Sequence, residues 1–338
     1  MCNKKKAGQK DSSFIIGIDG GGTNTRGVIS NLKGEVLTEV SGEASNYQTQ
    51  GLESAVKELK AVILTLLRET HVEASSIEKI AAGVAGVGRQ SDEKHLRRYL
   101  REELPVALED KVYITTDLHV ALYGAIGQKE GLILNAGTGA TAMGKDINGR
   151  IERADGWGFL LGDEGSGFWI GLEGIKRSLR YHDGRDSPTE LKKRLKQHFK
   201  LKDFEEIVPL VYDMLKKSDH GSIASLSKIV FDTGLRGDQV ANEIISEAGD
   251  KLGETASAVI TKLEYQTNQL NIVLNGGVFS SSAKPKLLES FEKRVGSVIP
   301  DWNYQAPAHP PKVGALIIAA REAQFKNFKP NSGKWSDP

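Results

Sequence analysis

Residues 14–30 read FIIGIDGGGTNTRGVIS. Two β-branched runs flank a carboxylate and three consecutive glycines, and few folds accommodate that combination. A two-residue hairpin turn needs only one or two positions that tolerate positive φ. A glycine triplet carries an entropic cost and packs nothing, so the turn is expected to admit something close to its backbone. Successive N–H groups without side chains form a concavity suited to phosphate oxygens. The residues after Thr25 continue as a strand, which argues against a Rossmann dinucleotide loop, and GxxxxGK[ST] occurs nowhere, which excludes a P-loop.

The hairpin is followed by alternating elements, and the whole pattern then restarts. Strands are expected at 14–19, 25–30 and 35–41, then a helix over 51–70 in which Leu52, Val56, Leu59, Val62, Ile63, Leu66 and Leu67 recur at helical spacing. A strand at 77–85, a helix at 91–104, a strand at 112–116 and a short helix at 118–126 follow. The second round opens with a strand at 131–135, the turn NAGTGAT at 135–141, and strands at 141–145 and 150–153. A mostly helical stretch at 165–269 precedes a strand at 271–275 and helices at 284–294 and 312–326. Alternation of this kind predicts an α/β fold of mixed sheets covered by helices. Its repetition predicts a duplicated domain with a cleft between the copies.

At 338 residues the chain exceeds what one hydrophobic core usually serves. Its 39% hydrophobic and 26% charged residues are globular values. A net charge of +1 offers nothing to nucleic acid or an anionic membrane, and the apolar run GALIIAA at 314–320 is too short to span a bilayer. No nucleic-acid or membrane partner is therefore expected. The lysine-rich stretch at 190–217 alternates with Glu205, Glu206 and Asp213 and reads as solvated helix faces. Residues 1–13 are basic and polar with no apolar stretch of the signal-peptide kind, and read as a disordered tail of a cytoplasmic protein. Cys2 is the only cysteine, which excludes an internal disulfide and a zinc or iron–sulfur site built on several thiolates of one chain.

Three glycine turns could hold a nucleotide: Gly21-Gly22-Thr23, Gly137-Thr138-Gly139, and Gly276-Gly277 in LNGGV at 274–278. Each alone reads better as a tight hairpin or a left-handed cap; three at equivalent places in the two halves are less easily explained that way. Asp117 ends the strand VYITTD, where ligands gather in open sheets, and could be a proton acceptor or the N-cap of the next helix. Asp19, between strand and glycines, could face Mg²⁺ through water or simply tighten its turn.

Taken together, DGGGT at 19–23, TTD at 115–117, NAGTG at 135–139, GWGFLLGDEGSGFWIG at 156–171 and LNGGV at 274–278 resemble the BadF/N-acetylglucosamine kinase family, in family order across residues 14–320. That family belongs to the actin/hexokinase/Hsp70 superfamily. The resemblance implies two actin-like, ribonuclease H-like domains, each a mixed five-stranded sheet flanked by helices. They would close on ATP, with Mg²⁺ and substrate in the cleft, usually in a homodimer. The expected domains are 14–118, completed by the helix 312–326, and 119–311 with a helical insertion. By the same resemblance Asp117 matches the catalytic base and a substrate contact, and Asn46 and Asp163 match sugar contacts; Asp19 is put on the metal side by its place between strand and glycines. Asp163 is expected to begin a helix. Thr141 is placed on the sugar side because Ala140-Thr141 stand where animal acetylglucosamine kinases carry Ser-Asn, which leaves the exact sugar open. Trp157 is expected to pack near the cleft.

One branch of the family comprises kinases of amino sugars or hexoses. Another comprises ATPase activators of dehydratases or reductases with a cluster held by cysteines, which a chain with only Cys2 is poorly equipped to hold. A non-catalytic nucleotide-dependent interaction module is the third option. The expected activity is ATP-dependent phosphorylation of the primary hydroxyl of an amino sugar, N-acetylglucosamine first. Glucosamine, N-acetylmuramic acid and hexoses remain open.

Overall fold

The computed structural model describes residues 13–266, 269–281, 284–325 and 327–331. The expected amino-terminal tail, Cys2 included, lies outside the described residues but for Ser13. The chain divides into two compact units. One comprises the described residues up to Gln128 together with those from Ala306 onward; the other is Lys129–Gln305.

In the first unit β1 (Phe14–Gly20) and β2 (Thr25–Asn31) form an antiparallel hairpin, and β3 (Val36–Gly42) pairs antiparallel with β2. On the other side of β1, β4 (Ile77–Val84) and β5 (Val112–Thr116) add in parallel, giving the order β3-β2-β1-β4-β5. Side chains alternate across a strand. Ile16 and Ile18 of β1 therefore enter one core, with Leu59, Ile63 and Leu66 of α1 (Leu52–Thr70) and Leu96 and Leu100 of α2 (Gln90–Glu103). Gly17 faces the opposite side, toward the helix Pro311–Glu322, where a Cβ would lie 2.5 Å from the Leu316 nitrogen. α3 (Asp117–Ile126) packs beside that helix.

The second unit repeats the sheet. β6 (Gly131–Ala136), β7 (Ala140–Lys145) and β8 (Ile151–Asp155) are antiparallel in succession, while β9 (Leu270–Asn275) and β10 (Trp302–Tyr304) extend β6 in parallel. The order β10-β9-β6-β7-β8 matches the first sheet strand for strand. The stretch expected as mostly helical resolves into α4 (Gly167–His182), α5 (Leu191–His198), α6 (Ile207–Lys216), α7 (His220–Ser225), α8 (Ser227–Leu235) and α9 (Gln239–Ile260). α9 and α10 (Lys284–Gly296) cover the sheet, their buried Leu252, Leu287 and Phe291 packing with Leu132, Leu134 and Ile272. The helix Pro311–Glu322 is α11. It ends before the expected 326, and each residue from Lys312 to Ala320 is buried.

Two expectations need correction. β10 was not foreseen. The first unit runs to Gln128 rather than 118, because α3 packs on α11: Gly314 sits where any Cβ would overlap the Val120 carbonyl. Among the described residues no helix is long and apolar enough to cross a membrane.

Candidate functional site

In the first unit the glycine turn is anchored at Gly21. Gly21 N–H donates to the Asn24 carbonyl at 2.9 Å, closing the hairpin, while Gly22 and Thr23 are exposed. The buried Thr25 hydroxyl lies 2.7 Å from both the Glu43 carbonyl and Ser45 Oγ, and Ser45 N–H donates to the Gly21 carbonyl at 3.2 Å. These bonds bring the following segment alongside, so that Asn46 Nδ2 is the nearest atom to a Cβ built on Gly22, at 3.9 Å. Asn46 Oδ1 already accepts from Gln48 N–H at 2.9 Å and Thr49 N–H at 3.1 Å. Toward a ligand, then, Asn46 offers the donor end of its amide rather than both ends.

Because β1, β4 and β5 are parallel, their carboxyl ends lie at one edge, and that edge carries Asp19 and Asp117. Thr116, not Asp117, caps α3: its side chain accepts from His119 N–H at 3.1 Å. The capping alternative for Asp117 is thereby answered. Asp117 Oδ1 accepts from Leu118 N–H at 2.8 Å and the residue is solvent-accessible. The protein packed around its carboxyl nevertheless raises its pKa by desolvation, the Leu118 N–H partly opposing. Asp19 is pushed from an ordinary 3.8 up to about 6, first by desolvation and then by the charge of Asp117; Arg26 and Lys312 pull the other way. A desolvated carboxylate at Asp19 whose charge Asp117 disfavours, beside an exposed glycine turn, suits a cation shared with phosphate oxygens.

In the second unit Gly137 N–H donates to the Gly139 carbonyl at 2.9 Å, closing the equivalent turn. The turn is docked on α4, whose Gly167 N–H donates to the Gly137 carbonyl at 2.8 Å and whose Phe168 N–H donates to Thr138 at 3.3 Å. A Cβ on Gly137 or Gly277 would meet nothing within 4 Å, so their backbones are open to a ligand. Gly276 has φ 104, a conformation that favours glycine on its own account. Gly137, Thr138, Gly167, Phe231 and Gly277 line a cavity of about 630 Å³, with Lys228 and Asp232 of α8 also on its lining. Pockets of this size hold small ligands.

Gly139 differs from its neighbours. A Cβ there would lie 2.7 Å from Asp163 Oδ2, so this glycine makes room for a carboxylate. Asp163 does not begin a helix: α4 starts at Gly167 with Ser166 as its cap, and Asp163 stands before it with φ 59. Its carboxyl pKa is raised, chiefly by desolvation and further by the charge of Asp155, while the Ala140 and Gly158 N–H groups oppose. The Thr141 hydroxyl donates to the Ala154 carbonyl at 3.2 Å, so toward a sugar it can only accept. Trp157 does not pack as expected. It is 65% exposed, with the Arg153 guanidinium 4.7 Å from its ring centroid. Sequence reasoning also missed Asp155, whose Oδ1 accepts from Gly156 N–H at 2.8 Å and from Asp163 N–H at 2.9 Å. Its only local signal is an ordinary Asp-Gly turn dipeptide.

A five-stranded sheet of this topology, present twice and each time opening its hairpin on a glycine turn beside carboxylates, defines the actin-like class of nucleotide-handling proteins. The chain belongs to the BadF/BadG/BcrA/BcrD ATPase family, whose model matches residues 16–319. It is 32% identical over 311 residues to the N-acetylmuramic acid/N-acetylglucosamine kinase of Clostridium acetobutylicum, covering 91% of this chain and 99% of that protein. It is 28% identical to the N-acetyl-D-glucosamine kinase of Dictyostelium discoideum, covering 90% and 97% of the two chains. Among solved structures, a candidate N-acetylglucosamine kinase from Chromobacterium violaceum matches with a TM-score of 0.67 at 25% identity, over 91% of this chain and 99% of that one.

Proposed function

We propose that this protein is an ATP-dependent amino-sugar kinase that phosphorylates the primary hydroxyl of N-acetylglucosamine or a close relative such as N-acetylmuramic acid. The names of the similar proteins support the substrate class. The observation that carries the chemistry is the carboxylate of Asp117, relieved of capping by Thr116 and set at the edge of the parallel strands. In this reading Asp117 accepts the proton of the sugar hydroxyl as that oxygen bonds to the γ-phosphorus. The bond from the γ-phosphorus to the bridging oxygen breaks and ADP leaves with its electron pair.

From the first unit the reading draws Gly21, Gly22 and Thr23 for phosphate and Asn46 for a sugar oxygen. From the second it draws Gly137, Thr138, Gly276 and Gly277 for the nucleotide, Gly139 to make room for the Asp163 carboxylate, and Thr141 and Asp163 for the sugar. Taken singly, Asp163 offers an acceptor for a sugar hydroxyl, and Asn46 offers a donor for a sugar oxygen. Among the described residues no three carboxylate, histidine or cysteine side chains gather as a metal cage. That fits Mg²⁺, which takes one or two carboxylates and leaves the rest of its shell to water and phosphate oxygens. Asp19, whose pKa desolvation and the Asp117 charge raise despite Arg26 and Lys312, would hold it, and Mg²⁺ would neutralise phosphate charge there. The reading further places the protein in the cytoplasm as a homodimer.

The test is ADP release measured across N-acetylglucosamine, glucosamine, N-acetylmuramic acid and hexoses. An amino sugar is expected to raise the rate far above background. If every sugar leaves it at background, the kinase reading falls.

A further inference from the structure

We infer that Asp155 is a positioning residue that sets the sugar-binding geometry by clasping the two ends of the loop 156–162, holding the Asp163 backbone and the Gly156 N–H in one preformed arrangement. The inference rests on the reading of Asp163 as a sugar contact.

Asp155 closes β8 with φ 62, and Gly156 follows with φ 78. Two successive left-handed residues are costly for any side chain but glycine, with Asp and Asn the tolerated exceptions. The aspartate uses that position. A single oxygen, Oδ1, accepts the N–H of the first residue after the strand at 2.8 Å and the N–H of Asp163, eight residues on, at 2.9 Å. An ionised acceptor makes both bonds stronger than a neutral one would. Space is reserved for the arrangement on both sides. A Cβ on Gly162 would overlap Asp155 Oδ1, and one on Gly139 would press on Asp163 Oδ2. Asp163 itself is left-handed, and its carboxyl is met by the Ala140 and Gly158 N–H groups. Its backbone is thus fixed by Asp155, and its side chain by Ala140 at the start of β7 together with Gly158 of the loop that Asp155 closes.

The clasp also has an electrostatic consequence. The Asp155 charge raises the Asp163 pKa, so the arrangement keeps two carboxylates near one another against their repulsion. The positioning itself rests on the two N–H bonds to one oxygen, which an amide oxygen can also accept, and it matters because a misplacement of an ångström in a binding group costs heavily.

Three variants test the inference on the full chain, with N-acetylglucosamine and ATP as substrates. Asp155→Gly keeps the left-handed backbone and removes the acceptor. Gly162→Ala keeps the acceptor and displaces it. Asp155→Asn keeps an acceptor oxygen and left-handed tolerance. The first two are expected to raise the sugar KM about tenfold or more, the scale of losing hydrogen bonds to a charged group, with kcat and the ATP KM changed less than about threefold. Asp155→Asn is expected to retain the sugar KM within about threefold, the rescue that a merely structural role would not display as a KM effect. Asp163→Asn is measured alongside. If it raises the sugar KM while neither Asp155→Gly nor Gly162→Ala does, the positioning role is overturned and the site reading stands. If Asp163→Asn leaves the sugar KM unchanged, both fall together.

Discussion

The carboxylates of the first unit differ in what their surroundings do to them, and the difference can be measured residue by residue. Asp117→Asn keeps an oxygen to accept from Leu118 N–H and leaves the Thr116 cap intact, so helix α3 should be undisturbed. Sugar and ATP should still bind, while kcat falls by ~10²–10⁴-fold, the contribution of a positioned general base. A near-native kcat in that variant would return Asp117 to a structural role. Asp19 offers a pH experiment instead. Its folded pKa of about 6 lies above the ordinary 3.8, so folding favours its protonated form. The stability it contributes is complete below about pH 3.8 and is lost as pH rises through about 6. Asp19→Asn removes that loss. In chemical denaturation without nucleotide or divalent cation, the variant should exceed the parent at pH 7–8 by at most about 3 kcal/mol, from 1.36 kcal/mol per pKa unit. The advantage should vanish by about pH 4; one that persists there unchanged has another cause. Sequence could offer both carboxylates as candidates but could not choose the cap. In TTD any of the three residues can cap a helix, and only the fold shows Thr116 doing it.

At the level of turns and elements, the two glycines of the second hairpin separate into two jobs. Gly137→Ala adds a methyl into open space, so stability should change by less than about 0.5 kcal/mol, as an unstrained surface change does. ATP affinity should nevertheless fall. Gly139→Ala pushes on the Asp163 carboxylate and should act chiefly on the sugar KM. Calorimetric titration with ATP, beside sugar kinetics, distinguishes them; identical behaviour in both variants would remove the distinction. From the sequence both glycines look like phosphate contacts, because the partner that separates them lies 24 residues further on. The strands were legible for the opposite reason. β1, β2, β6 and β7 are β-branched or small-residue runs bounded by glycine turns, a signal contained within each run. β10 is only Trp302–Tyr304 and has no length in which a period could show. It forms because β9 offers it an edge, with Trp302 opposite Leu270 and Tyr304 opposite Ile272. Asp155 was hidden in the same way, since its second hydrogen bond spans a loop that no local pattern encodes.

The connectivity of the whole chain makes the two units unequal in what they need in order to fold. Lys129–Gln305 contains all five strands of its sheet and the helices that bury them in one continuous segment. The first unit has its five strands before residue 117 but borrows α11 from the far end of the chain. α11 lies against β1 at Gly17 and against α3 at Gly314, both backbone-to-backbone approaches that only a missing Cβ permits. Without it, one face of the central strands has no cover. The 13–128 segment alone is therefore expected to lack cooperative unfolding, whereas 129–305 alone should show it. The points where the chain leaves and re-enters the first unit are close together. Ala308 N–H donates to the Ala125 carbonyl at 3.0 Å, and His309 N–H donates to Gly124 at 2.9 Å. A short glycine–serine linker can therefore join Gln128 to Ala306 without strain. The joined chain, 13–128 followed by 306–331, is expected to regain a single cooperative transition that 13–128 lacks. Gly314→Val in the joined chain should abolish or sharply lower that transition, because added volume meets the Val120 carbonyl and the Gly124 backbone rather than a flexible side chain. Thermal unfolding followed by circular dichroism decides it: a cooperative transition in 13–128 alone, at the same temperature as in the joined chain, would show that α11 is not needed to complete that unit.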